Sequence, residues 1–187
     1  MKLTIGVAMA AMACAGCLSS RPLEATNWTV EPSAAEIIPS ANPKFGTVRL
    51  AHFWVRPPYD GKSLVVERPD GSLAFDAYNR FAASPATLLQ GPAQDVMMKS
   101  GFFSAVITSA PVPVEGTFEV TVTRLALDCR EENRRDAAVE VMIVHFANHA
   151  VKATVHGTGV VPAADGAYTR AFSSAFTAAL VDALRKL

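Results

Sequence analysis

The chain has 187 residues, of which 50% are apolar and 18% are charged, and its 17 Lys and Arg residues balance 17 Asp and Glu residues. This composition excludes an intrinsically disordered chain, and the length predicts one globular domain whose core needs no disulfide bonds. Nucleic-acid binding is disfavoured, because sequence-independent affinity for phosphates depends on a surplus of clustered Lys and Arg residues.

The first sixteen residues have the pattern of a signal peptide. Lys2 precedes an apolar run over residues 3–13, which is too short to cross a bilayer as a stable helix. The segment Cys14-Ala15-Gly16-Cys17 follows, and it resembles the lipobox of bacterial lipoproteins. That resemblance implies cleavage after Gly16 and attachment of acyl chains such as palmitate to Cys17, so that lipid holds the protein on a membrane. A plain secretory signal that contains cysteines is the alternative.

The residues around the lipobox also bear on location and redox chemistry. Leu18 and Ser19 follow Cys17, and by resemblance to enterobacterial sorting they favour the outer membrane over the inner membrane. The predicted location is the cell envelope, with the folded body in the periplasm. Because Cys14 leaves with the signal peptide and Cys17 carries lipid, Cys129 has no partner for an intrachain disulfide.

Residues 17–44 comprise the lipidated cysteine and a predicted tether, since four prolines lie among Ser, Ala and Asn residues. Within this segment, residues 26–30 are rich in β-forming side chains and could add to a sheet as an edge strand. The folded domain is predicted over residues 45–187.

The first half of this domain predicts three strands and a helix. Residues 47–55 alternate in hydropathy, with Val48, Leu50 and His52 on one face of a strand. Residues 64–68 and 73–76 read as a β-hairpin around turn-forming residues. Ser84-Pro85 is typical of a helix start, and the helix is expected to end before Gly101.

The second half predicts further strands and a terminal helix. Residues 102–107 are predicted to form a short strand. Residues 118–123 alternate strictly, and Leu125 and Leu127 then lie on the other phase, as a bulge or burial of both faces would place them. A long hairpin turns at Asn148-His149. From Tyr168 onward, apolar residues recur at helical spacing. The predicted fold class is α+β, with a mainly antiparallel sheet and two helices on one face.

The histidines do not predict a metal site. On a hairpin that turns at residues 148 and 149, His145 faces about Lys152 and His156 faces about Val141, so the imidazoles do not converge. No nucleotide-binding loop is predicted, since Arg56 stands where the first glycine would be needed. We therefore expect no metal and no cofactor.

No catalytic residue is predicted either. Cys129 lacks an identifiable neighbouring base, and no serine nucleophile motif occurs in the chain. Residues 130–136 mix charges of both signs, which is typical of a solvated loop, with a docking site for a partner as the alternative. We therefore expect a protein that is not an enzyme.

Two consecutive segments carry a family resemblance. Residues 58–68 and 73–81 resemble the ABC-type transport auxiliary lipoprotein family, which includes PqiC-like proteins. Trp28-Thr29-Val30 is similar to the Tyr-Thr-Leu element that this family carries soon after its lipidated cysteine. The helix over residues 85–100, the strand from Phe118 and the terminal helix match as well. Phe81 stands where the family usually has Trp.

This resemblance implies a non-catalytic lipoprotein that works with an ABC permease, its ATPase and an MCE-domain protein to move lipids between the inner and outer membranes. It also implies a set of candidate docking residues, namely Tyr59, Arg68, Tyr78, Asn79, Arg80 and Phe81. The alternative for these residues is structural, with Tyr78 and Phe81 capping the sheet and the two arginines lying at the surface.

A homo-oligomer is compatible with the sequence. Two other functions are compatible with it as well. The first is a structural lipoprotein that tethers envelope components, and the second is a lipoprotein whose body binds a lipid or a small ligand. An enclosed apolar cavity between the terminal helix and the sheet would indicate ligand binding. A filled core with an exposed aromatic patch would indicate docking on a partner.

Overall fold

A computed structural model of the protein describes residues 24–31, 37–164 and 166–187, so the signal peptide and the lipobox lie outside the described residues. The described residues form eight strands and two helices. The strands are β1 (Thr26–Trp28), β2 (Phe45–Val55), β3 (Ser63–Glu67), β4 (Leu73–Phe81), β5 (Phe103–Ile107), β6 (Gly116–Asp128), β7 (Asp136–Ala147) and β8 (Ala150–Pro162). The helices are α1 (Pro85–Lys99) and α2 (Tyr168–Arg185).

Strand β6 runs through the middle of one sheet that contains all eight of these strands. Strand β7 pairs with one edge of β6, and β8 follows β7. On the other edge, β2 pairs with residues 116–122 of β6 and β3 pairs with residues 126–128, so the sheet divides into two arms. Strand β5 extends the β2 arm, whereas β4 and β1 extend the β3 arm.

The predicted α+β class is confirmed. Helix α1 lies against β2 and β5, α2 lies against β7 and β8, and the two helices contact each other. The sheet is mixed, however, because β1–β4, β2–β5, β2–β6 and β3–β6 are parallel pairs while the long ladder through β6, β7 and β8 is antiparallel. The residue pattern of a strand does not report the direction of its neighbours, so the parallel pairs were not predicted.

A bulge in β2 corrects the predicted face of one residue. The register of β2 against β6 shifts between Leu50 and His52, so that Phe53 lies opposite the buried Val120. Phe53 therefore packs against the core, while His52 is exposed. The prediction that His52 shares a face with Leu50 was wrong, because a bulge reverses the alternation beyond it.

The predicted β7–β8 hairpin is confirmed, with both turn residues in the left-handed region at φ 52° for Asn148 and 60° for His149. A further register shift beside the turn moves the pairing by one residue. As a result His145 lies opposite Ala153, not Lys152, and His156 lies opposite Met142, not Val141.

Both predicted helices are confirmed, and each has an identifiable local cause. The hydroxyl of Ser84 accepts a hydrogen bond from the amide of Thr87 at 3.4 Å, and Pro85 begins α1. In α2, Phe172, Phe176 and Leu180 are fully buried, so this stripe belongs to the core. Neither helix, among the residues the structure describes, is long and apolar enough to cross a membrane.

Two glycines of β8 allow α2 to lie directly on the sheet. A Cβ atom at Gly159 would come within 1.9 Å of the carbonyl oxygen of Ala175, and one at Gly157 within 2.0 Å of that of Ala179. The backbone of α2 therefore contacts the backbone of β8 without intervening side chains. The backbones of α2 and β8 therefore fill this part of the interior.

Helix α2 also covers part of the outer edge of β8. The amide of Thr158 donates to the carboxylate of Asp182 at 3.1 Å, and the ammonium of Lys186 donates to the carbonyl of His156 at 2.8 Å. Asp182 and Lys186 contact each other at 2.7 Å, four residues apart on α2. Two backbone groups on the sheet edge are thereby satisfied by side chains.

Candidate functional site

The chain joins the folded body soon after the predicted lipid anchor. Strand β1 adds to the sheet as an edge strand, as predicted, and it pairs in parallel with the end of β4. The Trp28 ring is buried, with its centroid 4.5 Å from that of Phe81 and 5.4 Å from that of Phe172. The amide of Glu31 donates to the hydroxyl of Ser173 in α2 at 3.0 Å.

These contacts correct the predicted tether over residues 17–44. Val30 and Ile37 are also buried, and the amide of Ser40 donates to the carbonyl of Ser100 at 2.8 Å. Residues 26–31 and 37–40 thus belong to the folded body, because proline-rich composition did not reveal the apolar side chains that dock there. The rest of the predicted tether before Glu24 lies outside the described residues.

The candidate docking residues fall into two groups. Phe81 is 1% exposed and packs on Trp28, so its assignment to a docking surface was wrong and the structural alternative holds for it. The amide side chain of Asn79 donates to the carboxylate of Asp76 at 2.7 Å, within a bulge of β4. The hydroxyl of Tyr59 donates to Glu67 at 3.1 Å. These three side chains are held by the fold.

The other candidates, Arg68, Tyr78 and Arg80, are exposed. Arg80 lies on the face of the sheet that carries no helix, since its neighbour Phe81 points into the core. Phe75 and Leu73 share this face, because their partners Val65 and Glu67 alternate with Ser63, the partner of Arg80, and Tyr78 is exposed beside them in the bulge. We call Leu73, Phe75, Tyr78 and Arg80 the β4 stripe.

The β4 stripe exposes large apolar side chains on one strand. Phe75 is 59% exposed, Tyr78 is 52% exposed and Leu73 is 42% exposed. Sequence reasoning missed Phe75 and Leu73, although they alternate with Ala74 and Asp76 as two faces of a strand. The alternation could not reveal which face the helices would leave uncovered.

A network of charged side chains lies on the same uncovered face, where β3 meets β6. The guanidinium of Arg124 donates to Glu67 at 3.0 Å and to Asp128 at 2.7 Å. Arg130 donates to Asp128 at 2.9 Å, and Glu140 lies 3.4 Å from Arg124. We call Glu67, Arg124, Asp128, Arg130 and Glu140 the ion network.

The hydrogen bonds of the ion network shift the pKa values of its members. The pKa of Arg124 is raised, mainly by its hydrogen bonds to Glu67, against the opposing effect of burial. Hydrogen bonding from Arg130, with further help from Arg124, holds the pKa of Asp128 well below its usual range. Burial and the neighbouring Glu67 raise the pKa of Tyr59. These groups stay in their ordinary charged or neutral forms at neutral pH.

The ion network is therefore suited to a structural role. A general acid or base needs a pKa near the working pH, whereas these shifts move the carboxylic acid and the guanidinium further from it. The network ties β3, through Glu67, and β7, through Glu140, to the second half of β6. Residues 130–135 are exposed, as predicted for a solvated loop, whereas Asp136, the last residue of that predicted loop, is buried and begins β7.

The histidines occupy separate environments, as predicted. The His145 ring is buried and stacked on Phe118 with centroids 4.5 Å apart, and its Nε2 atom has no hydrogen-bond partner within the described residues. Burial lowers the pKa of His145. His149 lies in the hairpin turn and His156 is exposed. Across residues 24–31, 37–164 and 166–187, no group of His, Cys, Asp or Glu side chains is placed to hold a metal.

Cys129 is a free, half-buried thiol, and burial raises its pKa. It borders an open groove of about 820 Å³ whose walls include the charged loop from Glu131 to Asp136 and residues 162–164. A raised pKa disfavours the reactive thiolate form. The groove opens to solvent and lies at the surface, away from the space between α2 and the sheet.

Comparisons with known proteins identify the fold. No family model matches the sequence, and no curated protein matches it at a significant level. Among solved structures, protein XCC0632 from Xanthomonas campestris, of the family DUF330, is similar with a TM-score of 0.66 and 18% identity, over 86% of this chain and 91% of that chain.

Two further solved structures are similar. An uncharacterized protein matches with a TM-score of 0.59 and 10% identity, over 85% of this chain and 99% of that chain. PelC from Paraburkholderia phytofirmans, solved as a dodecamer, matches with a TM-score of 0.44 and 13% identity, over 80% of this chain and 92% of that chain. At these identities the likeness to the first two structures shows a shared fold.

Proposed function

We propose that this protein is a non-catalytic lipoprotein of the bacterial cell envelope, and that it serves an ABC/MCE-type system that moves lipids between the inner and outer membranes. Its anchor is lipid on Cys17, and its body faces the periplasm, preferentially from the outer membrane. The lipobox and the resemblance to the ABC-type transport auxiliary lipoprotein family support this assignment. The fold shared with a DUF330 protein is compatible with it.

The packing of α2 on β8 favours a body that acts through its surface over a body that encloses a ligand. Helix α2 contacts β8 backbone to backbone at Gly157 and Gly159, which leaves no room for a ligand between them. The β4 stripe, in contrast, exposes three large apolar side chains on one strand. Ligand sites are concave and mostly apolar, whereas exposed apolar patches mark contact surfaces. This combination supports a body that acts through its surface rather than one that encloses a lipid.

The ion network supports the non-catalytic part of the proposal. Its carboxylates and guanidinium groups are hydrogen-bonded to one another, and the neighbouring Cys129 thiol and Tyr59 hydroxyl both have raised pKa values, which disfavour their nucleophilic forms. An enzyme would require a titratable group poised near neutral pH in a cleft.

The test is a crosslinked pull-down of the native lipidated protein, followed by mass spectrometry of the recovered proteins. The expected result is recovery of an ABC ATPase, its permease or an MCE-domain protein. The matched control is Cys17→Ala, which removes the anchor and should lose membrane-bound partners. Recovery of only peptidoglycan-linked or unrelated envelope proteins would replace the transport function with that of a structural tether.

The anchor and the ligand alternative have separate tests. Mass spectrometry of the N-terminal peptide should show acyl chains on Cys17, and an unmodified cysteine would refute the lipoprotein assignment. Lipid extraction from the purified protein should yield no lipid beyond the anchor in stoichiometric amount. A stoichiometric lipid would favour the ligand-binding alternative.

A further inference from the structure

The length of chain between the anchor and the body limits how the body can stand on a membrane. Seven residue steps separate Cys17 from Glu24, the first described residue. A fully extended chain spans at most about 3.6 Å per residue, so the tether reaches no more than about 25 Å. A domain of about 160 residues is about 40 Å across. The side where the chain joins the body must therefore lie toward the bilayer.

The joining point is at the β4 stripe. Strand β1 runs parallel to β4 with Thr26 beside Asn79, so the residues that precede Thr26 lead back along β4 toward Tyr78. Strand β1 pairs only with the last three residues of β4, and the rest of that edge has no strand beside it within the described residues. Tyr78 and Phe75 thus lie next to the place where the tether arrives.

The chemistry of the stripe fits the interfacial region of a membrane. Tyr78 offers a ring with a polar end, and Phe75 and Leu73 offer apolar groups, which is the combination found in interfacial belts. Arg80 lies on the same face, and the exposed Lys62 is adjacent because its carbonyl accepts from the amide of Phe81. These two cations are suited to anionic lipid headgroups.

We propose that the β4 stripe is the face with which the body contacts the lipid surface, with Phe75 and Tyr78 at the level of the headgroups and Arg80 near lipid phosphates. The proposal rests on the lipid anchor of the proposed function. It orients the molecule, since the helices α1 and α2 then face away from the bilayer and toward the periplasm.

The test measures the depth of single tryptophans in the full lipidated protein. The protein is reconstituted in vesicles of phosphatidylethanolamine and phosphatidylglycerol that contain brominated lipid. Trp54→Phe removes the exposed native tryptophan, and Phe75→Trp introduces a probe on the stripe. The matched control is Met98→Trp, because Met98 is a 50% exposed apolar residue of α1, on the opposite face. Trp28 remains as a buried background in both variants.

The expected result is loss of emission and a shift to shorter wavelength for the probe at position 75, with neither change at position 98. Equal quenching at both positions, or none at position 75, would overturn the proposal. A photocrosslinker at position 75 in intact cells should form adducts with phospholipid. Adducts with a protein chain would assign the stripe to a protein partner and would also overturn it.

The same samples separate this proposal from the proposed function. The mass of the N-terminal peptide reports whether Cys17 is acylated. An acylated protein that recovers its transport partners but shows no quenching at position 75 refutes the orientation alone. An unmodified Cys17 refutes both the anchor and the orientation.

Discussion

Arg124 is the residue on which the ion network depends, because it donates to both Glu67 and Asp128 while its side chain is only 14% exposed. Arg124→Met would leave Glu67 and Asp128 close together with only the more exposed Arg130 between them. We expect the free energy of unfolding to fall by about 2–3 kcal/mol. Urea denaturation measures the change.

The control for this variant is Arg170→Met, which removes a cation from an exposed position on α2. Its effect should stay within about 0.5 kcal/mol. Equal, small effects of both substitutions would mean that the ion network contributes little to stability.

Because His145 is buried, we expect the stability of the protein to depend on pH. Burial lowers its pKa in the folded protein, so the unfolded chain takes up a proton at a higher pH than the folded protein does. Stability should therefore fall as the pH drops through the ordinary histidine pKa of about 6.5. His145→Phe should flatten this fall, because a phenyl ring fills the stack on Phe118 and cannot be protonated.

The measurement is chemical denaturation at a series of pH values between neutral and mildly acidic. His156→Gln serves as the control, since it also removes a histidine but from an exposed position of β8. An unchanged pH dependence in the His145→Phe protein would contradict the assignment.

At the scale of elements, the contact between α2 and β8 depends on two glycines. Gly159→Ala would place a methyl group 1.9 Å from a backbone oxygen of α2, and backbone cannot rotate away as a side chain can. We expect a loss of about 3 kcal/mol in unfolding free energy, as for an overpacked core. Thermal unfolding followed by circular dichroism measures the loss.

The matched control is Gly91→Ala in α1, where no atom lies within 4 Å of the added Cβ. This substitution should stabilise the protein by about 0.5–1 kcal/mol, because alanine favours a helix more than glycine does. A Gly159→Ala protein as stable as the parent would show that α2 can shift away at no cost.

The elements differ in how far the sequence could predict them. Local signals were sufficient where the cause is local, as for Ser84 and Pro85 at the start of α1 and Asn148-His149 in the hairpin turn. The change of phase at Leu125 was also readable, but the sequence did not distinguish a bulge from burial of both faces, and the structure has a bulge between Val122 and Arg124. The pairing of β2 and β3 with opposite ends of β6 was not, since it depends on contacts between distant parts of the chain.

In the candidate site too, the sequence could predict some residues but not those that meet only through contacts between distant parts of the chain. The sequence identified Tyr78 and Arg80 as candidates through a family resemblance, and both are exposed. It could not identify the ion network, because Glu67 and Arg124 are 57 residues apart and meet only through the pairing of β3 with β6. Phe81 was assigned wrongly because an aromatic motif does not reveal on which face its ring lies.

At the scale of the whole molecule, Trp28 determines how firmly β1 is held to the folded body. Trp28→Ala would remove the ring that holds β1 against Phe81 and Phe172, at a cost of about 3 kcal/mol. We expect the segment before β2 to become open to proteases while the rest of the body resists them. Limited proteolysis with mass spectrometry of the fragments tests this expectation.

Asn27→Ala is the matched control, because Asn27 belongs to the same strand but is exposed. It should leave the protease pattern unchanged. If Trp28→Ala also left the pattern unchanged, the other contacts of residues 30–40 would be sufficient to hold the segment.

The outer edge of β8 matters once many copies share one membrane. Lipid anchors would confine the proteins to two dimensions and raise their local concentration, so that open strand edges would meet often. The amide of Thr158 already donates a hydrogen bond to Asp182, and the carbonyl of His156 already accepts one from Lys186. A foreign strand would have to displace both side chains before it could pair there. In such a membrane, helix α2 would hinder the pairing of β8 with a strand of a neighbouring copy.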